Sequence, residues 1–257
     1  MGPIAPGRAG SPILARTVDA FWAFESVGRA HRVLPDGCID FIFDLRTGRA
    51  IVQGPMTRAE VVTLPAGSRV FAVRFAPGAG RAFVDTEVHQ LEDRSTDLAD
   101  VTSAARTWRL AERVAEARDD AARRCLVTQF LLDPRVRKCP TDGRLQRAVR
   151  SIRERHGSIS VSAMAGDLGV SERTLERLFR EHVGVGPKLY ARIARMEWTR
   201  AAAENRLFSQ ADLALRGGYA DEPHLLREFR ALTGLTPGAL LAEDRVGFVQ
   251  VAGVALL

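Results

Sequence analysis

The residues whose types and spacing carry recognisable chemistry lie in MAGDLGVSERTLERLF (164–179). Two helices that cross through a very short turn need a small residue at the crossing, a glycine in the turn and apolar residues at set offsets around them. Ala165 supplies the small contact, and Gly169, four residues on, supplies a turn residue free to take positive φ. Met164, Leu168, Val170, Leu175 and Leu178 fill the apolar positions, and Ser171 is a natural N-cap for the second helix. Glu172, Arg173, Glu176 and Arg177 then fall on that helix's solvent face. The chemistry this permits is recognition of duplex DNA, because a guanidinium fork pairs in bidentate fashion with guanine or phosphate. A plain Ser-capped helical hairpin would share part of the pattern.

A second occurrence separates the two readings. In ADLALRGGYADEPHLLREF (211–229), Ala214 and Gly218 repeat the Ala-x-x-x-Gly spacing, flanked by Leu213 and Tyr219 as Met164 and Val170 flank the first. The two turn glycines are 49 residues apart. Leu225 and Phe229 repeat Leu175 and Phe179 one residue later, which implies a turn longer by one. Asp221 takes the place of Ser171 as N-cap, and Pro223 is tolerated within the first turn. Each unit is followed by Gly-x-x-Pro, GVGP (184–187) and GLTP (234–237). An internal repeat this detailed is a structural signature.

The elements that must position these residues follow from periodicity. Leu145, Ala148, Val149 and Ile152 mark an amphipathic helix that Gly157 stops. Pro187 opens a long helix to about Asn205, with Leu189, Ile193 and Met196 on one face. At 1.5 Å per residue that helix is roughly 28 Å long, near the ~34–36 Å between successive major-groove faces on one side of B-DNA. Everything from Asp142 onward reads as helix until the last ten residues.

The first hundred residues read as strands. CIDFIFD (38–44) alternates Ile39, Phe41 and Phe43 against Asp40, Ile42 and Asp44; EVVTL (60–64) and RVFAVRF (69–75) are short, β-branched and aromatic. Turn chemistry at 35–37, 46–48, 54–55, 65–67 and 77–80 bounds them. The expectation is an antiparallel β barrel or sandwich. Thr96 or Asp97 is a cap for a short helix, and 103–132, free of Gly and Pro, predicts one long helix ended by Asp133–Pro134. Its apolar residues, Leu110, Val114, Ala117, Cys125, Phe130 and Leu132, suit either a layer closing the barrel or a dimer seam. The domain expectation is therefore residues 1–132 as a sensory or dimerisation domain with a helical end, 133–141 as linker, and 142–257 as the DNA-binding domain. The fold class is α+β.

Composition bounds the alternatives. The 257 residues carry a formal charge of +6, split evenly as +3 in 1–141 and +3 in 142–257, so charge alone does not say which half would meet a polyanion. No apolar run reaches the roughly 18–20 residues of a membrane span, and the start, MGPIAPGRAGSP, has no apolar h-region; a cytoplasmic location with no membrane partner is expected. Cys38, Cys125 and Cys139 are too scattered for a disulfide framework or zinc knuckle, and His31 and His89 stand alone. No nucleophile elbow, P-loop or C-x-x-C occurs. No catalytic residue, metal or cofactor is expected.

Residues 142–241 resemble the DNA-binding domain of the AraC/XylS family of bacterial transcription regulators: A-x-x-x-G-V-S-x-x-x-L-x-R-x-F in the first unit, G-Y-x-D-x-x-H-x-x-R-x-F and G-x-T-P in the second. The resemblance implies two helix-turn-helix units joined by a long helix. It places the base-reading positions on Glu172, Arg173, Glu176 and Arg177 and on Glu222, Pro223, Leu226 and Arg227. Pro223 and the Leu226 side chain have no donor, so the second helix is expected to contribute phosphate contacts, thymine-methyl contact and positioning, with Arg227 its best reader. HRVLPDGCIDFIFD (31–44), VQGPMTR (52–58) and VRFAPGAGRAFV (73–84) resemble the cupin-like N-terminal domain of one branch of the family, which implies a small-molecule effector and a homodimer. RNA polymerase is a partner by the same resemblance, and activation the commoner outcome. Arg74 in an otherwise apolar strand, and Asp40 and Asp44 on the second face of another, are the candidate polar groups of an effector pocket if that face lines a lumen, or else surface positions or a structural ion pair. Two other readings stand beside this one: a first domain that only dimerises or binds protein, and an enzyme with a DNA-binding appendage.

Overall fold

A computed structural model describes residues 12–137, 139, 142–205 and 208–244. After a short helix α1 (Pro12–Thr17), seven strands follow: β1 (Val18–Glu25), β2 (Ala30–Val33), β3 (Ile39–Asp44), β4 (Ala50–Gln53), β5 (Glu60–Thr63), β6 (Arg69–Phe75) and β7 (Ser95–Asp97). Five of them form an antiparallel sheet in the order β1-β6-β3-β4-β7, while β2 and β5 form a separate two-stranded ribbon. The period-2 alternation of β3 is realised: Ile39, Phe41 and Phe43 are buried with Phe71, Val73 and Phe75 of β6 in one apolar core. The Phe41 and Phe75 rings meet edge-on with centroids 4.8 Å apart.

The sheet is not closed into a barrel, which corrects the barrel expectation. Closure would need the two outer strands to pair. Here β1 and β7 stay at opposite edges, and β7 is only three residues long. The ribbon instead stands off the second face of the sheet. That face carries Asp40, Asp44, Gln53 and Arg74 among its apolar residues, so it does not collapse into a dry core, and a cavity of about 580 Å³ separates sheet from ribbon.

The long helix expected over 103–132 is also corrected: it is two helices, α2 (Ala104–Glu116) and α3 (Asp120–Leu132). The break comes from side chains rather than from Gly or Pro. The Asp119 carboxylate accepts from the Ala122 N–H at 2.8 Å and caps α3. Arg123 reaches back to the Val114 carbonyl at 3.2 Å and the Ala117 carbonyl at 2.7 Å, satisfying the end of α2. Leu110 and Val114 lie in the core below the sheet, whereas Cys125, Leu132 and Trp108 are exposed. Asp97 caps the short 3-10 turn Leu98–Val101 through the Ala99 N–H.

From residue 142 the chain is helical: α4 (Gly143–Glu154), α5 (Val161–Asp167), α6 (Glu172–His182), α7 (Pro187–Glu204), α8 (Gln210–Arg216), α9 (Glu222–Thr233) and α10 (Pro237–Asp244). The final ten residues, and positions 138, 140 and 141 of the expected linker, lie outside the described residues. Helix α7 is buried on most of its circumference, with Ile193 and Met196 at zero exposure, because both helix-turn-helix units pack on it. None of the helices is long and apolar enough to cross a membrane among the described residues.

The two halves touch along several elements. Leu34, just after β2, joins the helical core. The turn after α6 lies so close to the first half that a Cβ on Gly184 would come within 2.4 Å of Pro55 Cγ. The Ala59 N–H donates to the Leu232 carbonyl at the end of α9 at 2.7 Å, and Arg32 of β2 reaches the Thr233 carbonyl at 3.2 Å and Glu243 of α10 at 3.1 Å.

Candidate nucleic-acid interface

The two helix-turn-helix units have the same backbone chemistry. In the first, the N–H groups of Leu168, Gly169 and Val170 bond to the carbonyls of Met164, Gly166 and Ala165; in the second, those of Gly217, Gly218 and Tyr219 bond to Leu213, Leu215 and Ala214. Every partner is displaced by 49 residues. This is a helix stop in which a left-handed residue lets the next N–H reach back to the sixth carbonyl. Gly169 and Gly218 hold that residue at φ +66° and +71°, where a side chain is strained. Ala165 and Ala214 are buried at the helix crossings. The second turn is longer by one residue, since α6 begins three residues after Gly169 and α9 four after Gly218.

The second helix of each unit is capped by the residue the sequence nominated. Ser171 Oγ accepts from the Thr174 N–H at 3.1 Å, and Asp221 Oδ1 accepts from the His224 N–H at 2.6 Å. On α6, Leu175, Leu178 and Phe179 are buried, which turns Glu172, Arg173, Glu176 and Arg177 outward. All four are exposed, but they are not equivalent. Arg173 has no ion pair among the described residues, whereas Arg177 is paired with Glu181 one turn on at 3.1 Å. The Glu176 carboxylate lies against Gly186, where a Cβ would come within 2.5 Å of its Oε1, so it sits beside the N-terminus of α7. On α9, Arg227 and Pro223 are exposed, Glu222 is half-buried, and Leu226 packs partly against the helical core.

The motif residues of the second unit that reading from sequence left without a role form its scaffold. His224 Nδ1 accepts from the Ala220 N–H at 3.1 Å, which leaves the proton on Nε2, facing Glu228 Oε2 at 3.3 Å. The side chain of Glu228, 11% exposed, also gathers Arg195 at 3.4 Å and Arg192 at 3.7 Å from α7. Arg195 lies over the Tyr219 ring, 5.2 Å from its centroid. Burial raises the Tyr219 phenol to about 12, against the Thr199 hydrogen bond that lowers it. A charged hub thus ties α9 to α7. Arg195 lies 33 residues from Glu228, so this pairing carries no local signal.

In the first half, Arg74 and Asp40 are brought together. Asp40 accepts from Arg74 Nε at 3.0 Å and from Nη2 at 2.8 Å, and Arg74 Nη1 lies 2.9 Å from Asp36. Burial raises the Asp40 carboxyl from its ordinary value against the pull of Arg74, and the two carboxylates hold Arg74 charged. The pair lies at one end of the cavity between sheet and ribbon. Asp44 lines the same cavity but is engaged elsewhere, accepting from the N–H groups of Arg46 and Thr47 in its own turn.

Comparison with known proteins fits this geometry. Residues 164–243 match the family described as "Helix-turn-helix domain", and residues 8–97 match a "Domain of unknown function (DUF6597)". The "HTH-type transcriptional regulator GlxA" of Rhizobium meliloti (strain 1021) is 37% identical over 79 residues, 31% of this chain and 24% of that protein. The "Probable bifunctional transcriptional activator/DNA repair enzyme AlkA" of Mycobacterium tuberculosis (strain ATCC 25618 / H37Rv) is 33% identical over 95 residues, 37% of this chain and 19% of that protein. The match thus spans a quarter or less of these relatives. Among solved structures, wild-type ToxT from Vibrio cholerae strain SCE256, with unsaturated fatty acid bound, aligns over 92% of this chain and 96% of its own at 11% identity and TM-score 0.45. The C-terminal domain of AraT from Geobacillus stearothermophilus aligns over 42% and 89% at 19% identity and TM-score 0.38. Residues 164–243, which hold both turn glycines and α7, match a helix-turn-helix domain.

Proposed function

We propose that this chain, with its AraC-type helix-turn-helix domain, is a sequence-specific transcription regulator controlled by a small molecule bound in its first half. The DNA-binding part rests on the 49-residue conformational repeat, which sets two capped helices on one rigid central helix. Arg173 and Arg177 read bases on the first helix, with Glu172 beside them and Glu176 bracing the α6–α7 corner. Arg227 reads on the second, with Glu222 and Leu226 positioning it and meeting backbone and thymine methyl.

The control part rests on one observation: the β2–β5 ribbon is shared. Its inner side lines the cavity through His31, Val33, Glu60, Val62 and Leu64. Its neighbouring residues Arg32 and Ala59 hold the C-terminal end of α9 and α10. A molecule seated against Arg74 and Asp40 between sheet and ribbon displaces the ribbon relative to the sheet, and with it the second reading helix. A ribbon that served dimerisation alone would have no reason to roof a cavity. The exposed Trp108 of α2 and Leu132 of α3 are the apolar positions we assign to a homodimer contact. RNA polymerase contact and an activating outcome are part of the same proposal, carried by family likeness.

Selection of bound duplexes from a random library, with the full chain and an Arg173→Ala/Arg177→Ala variant, tests the reading. An enriched motif of about two helical turns, altered in the variant, is expected. A full-length chain and a 142–257 fragment that both enrich nothing would refute sequence-specific binding.

A further inference from the structure

The cavity between sheet and ribbon holds about 580 Å³, within the range of small-molecule sites. Strand pairing orders its floor into rows of side chains on one face of the sheet. One row runs Trp22, Ala72, Ile42, Ile51 from β1 through β6 and β3 to β4, and the next runs Ala20, Arg74, Asp40, Gln53. Val33, Met56 and Val62 add apolar wall above them. That much selects a hydrophobic body, and the polar atoms decide what else the molecule carries.

Most polar groups in the lining are already engaged. Arg74 is held by Asp40 and Asp36. Asp44 accepts from the N–H groups of Arg46 and Thr47. Gln53 accepts from the Ser95 hydroxyl and donates to the Gly54 carbonyl at 3.3 Å. Arg49 meets Asp97 through one Nη and, like Glu60, is exposed, so water serves both. Trp22 is different: its Nε1–H is buried and has no acceptor among the described residues. Its own row supplies none, since Ala72, Ile42 and Ile51 carry no polar side-chain atom. A buried donor left in this state carries a desolvation cost that an acceptor cancels.

The donor is uncharged and its row is apolar, so it suits an uncharged partner. A carboxylate brought here would surrender its hydration for one hydrogen bond, because the guanidinium in the next row is already spent on Asp40 and Asp36. An ammonium has no acceptor to offer. Resting on the effector reading above and deepening it, we propose that the cavity takes an uncharged, mainly apolar molecule bearing a carbonyl group, whose oxygen accepts from Trp22 Nε1–H. Because Nε1 is covered, the carbonyl reaches it only as the surrounding side chains give way. Two residues along β1, the Phe24 ring meets His31 of the ribbon edge-on, with centroids 4.7 Å apart. A molecule held at Trp22 lies beside this contact between sheet and ribbon, so binding and displacement of the ribbon are one event.

Four probes of one shape test the assignment on the full-length protein at pH 7: 6-phenylhexan-2-one, its hydrocarbon analogue (5-methylhexyl)benzene, 6-phenylhexan-2-amine and 5-phenylpentanoate. Binding is read from the indole 15N–1H cross-peak of Trp22, assigned by its loss in Trp22→Phe, and from the shift in melting temperature. The ketone is expected to move the Trp22 indole proton downfield, as a donor gaining an acceptor does, whereas the hydrocarbon binds without that shift. Trp22→Phe should weaken the ketone about five-fold relative to the hydrocarbon, the worth of one neutral hydrogen bond. The ammonium and the carboxylate should each bind at least about ten-fold more weakly than the ketone. Val62→Trp, which fills the cavity from the ribbon side, should weaken the ketone by at least about ten-fold while the protein still melts cooperatively. Two results overturn the carbonyl assignment and leave the effector site standing: a charged probe that binds as tightly as the ketone and is lost in Val62→Trp, or a ketone lost in Val62→Trp that leaves the Trp22 proton unmoved. No binding by any of the four, or binding that Val62→Trp leaves unchanged, overturns both.

Discussion

Replacing Arg74 by glutamine removes the one cation between two carboxylates. Arg74 and Asp40 are 9% and 7% exposed, and their bidentate pair at 3.0 and 2.8 Å is backed by Asp36 at 2.9 Å. Breaking a buried pair by deleting one partner costs about 3–5 kcal/mol, most of it the desolvation of the charge left behind. A domain of this size has about 5–15 kcal/mol in all, so the variant should be folded but marginal at pH 7. Acid should rescue it. Without Arg74, burial and Asp36 both push Asp40 further above its ordinary value, so the native state holds a proton that the unfolded chain has released. Between that raised value and the unfolded value near 4, stability therefore climbs as pH falls. Urea denaturation of the wild type and Arg74→Gln at pH 7.5 and 5 measures this. The expected deficit is about 3–5 kcal/mol at pH 7.5 and distinctly smaller at pH 5. A double variant, Arg74→Met/Asp40→Leu, should recover most of the loss, because no uncompensated charge remains at the pair. A deficit below about 1 kcal/mol, or one identical at both pH values, would refute the view that this triad anchors the sheet's second face.

Three further outcomes follow from the same geometry. Arg173→Ala should cost about 1–3 kcal/mol on the selected duplex and relax preference at one base; an equal loss on random DNA in a competition assay would make it a phosphate contact instead. Gly169→Ala and Gly218→Ala should both destabilise the fold through the positive φ, by about 1–2 kcal/mol at Gly169, where a Cβ meets nothing within 4 Å, as read by urea denaturation. Gly218→Ala should cost more, since its Cβ would approach Ser158 Oγ at 2.9 Å, and the reverse order would sink this account. Glu197 of α7 is enclosed between the halves, and burial raises it to about 8, with Asp36 adding and Arg153, Arg200 and Arg74 opposing. Its contribution to stability is complete below the unfolded value near 4.5 and is lost as pH rises through 8, so Glu197→Gln should gain on the wild type between pH 6 and 9. Parallel melting curves across that range would show the carboxyl is not held in this way.

The two helix-turn-helix units were legible because everything that makes such a unit is local. A small residue, a glycine four later and a capping side chain act within one turn, so Ala165, Gly169 and Ser171 announce themselves, and the repeat at Ala214, Gly218 and Asp221 doubles the signal. The alternation of β3 likewise told which face of the sheet would be dry. Where local rules have side-chain exceptions, the reading failed: α2 and α3 are separated by Asp119 and Arg123, which break a helix without Gly or Pro.

What the amino-acid order could not decide is long-range. The sheet stays open because β1 and β7 never meet, a property of register summed over five strands rather than of any one. That Arg74 faces both Asp40 and Asp36, that Glu228 gathers Arg192 and Arg195, and that Arg32 and Ala59 hold the end of α9 are contacts between residues dozens to two hundred positions apart. Short-range torsional and capping preferences are written in the order of residues. Partner choice for a charged side chain is settled only when folding removes water and leaves one neighbour within reach, so the tertiary structure alone determined which arginines stay unpaired at the surface and which are already spent.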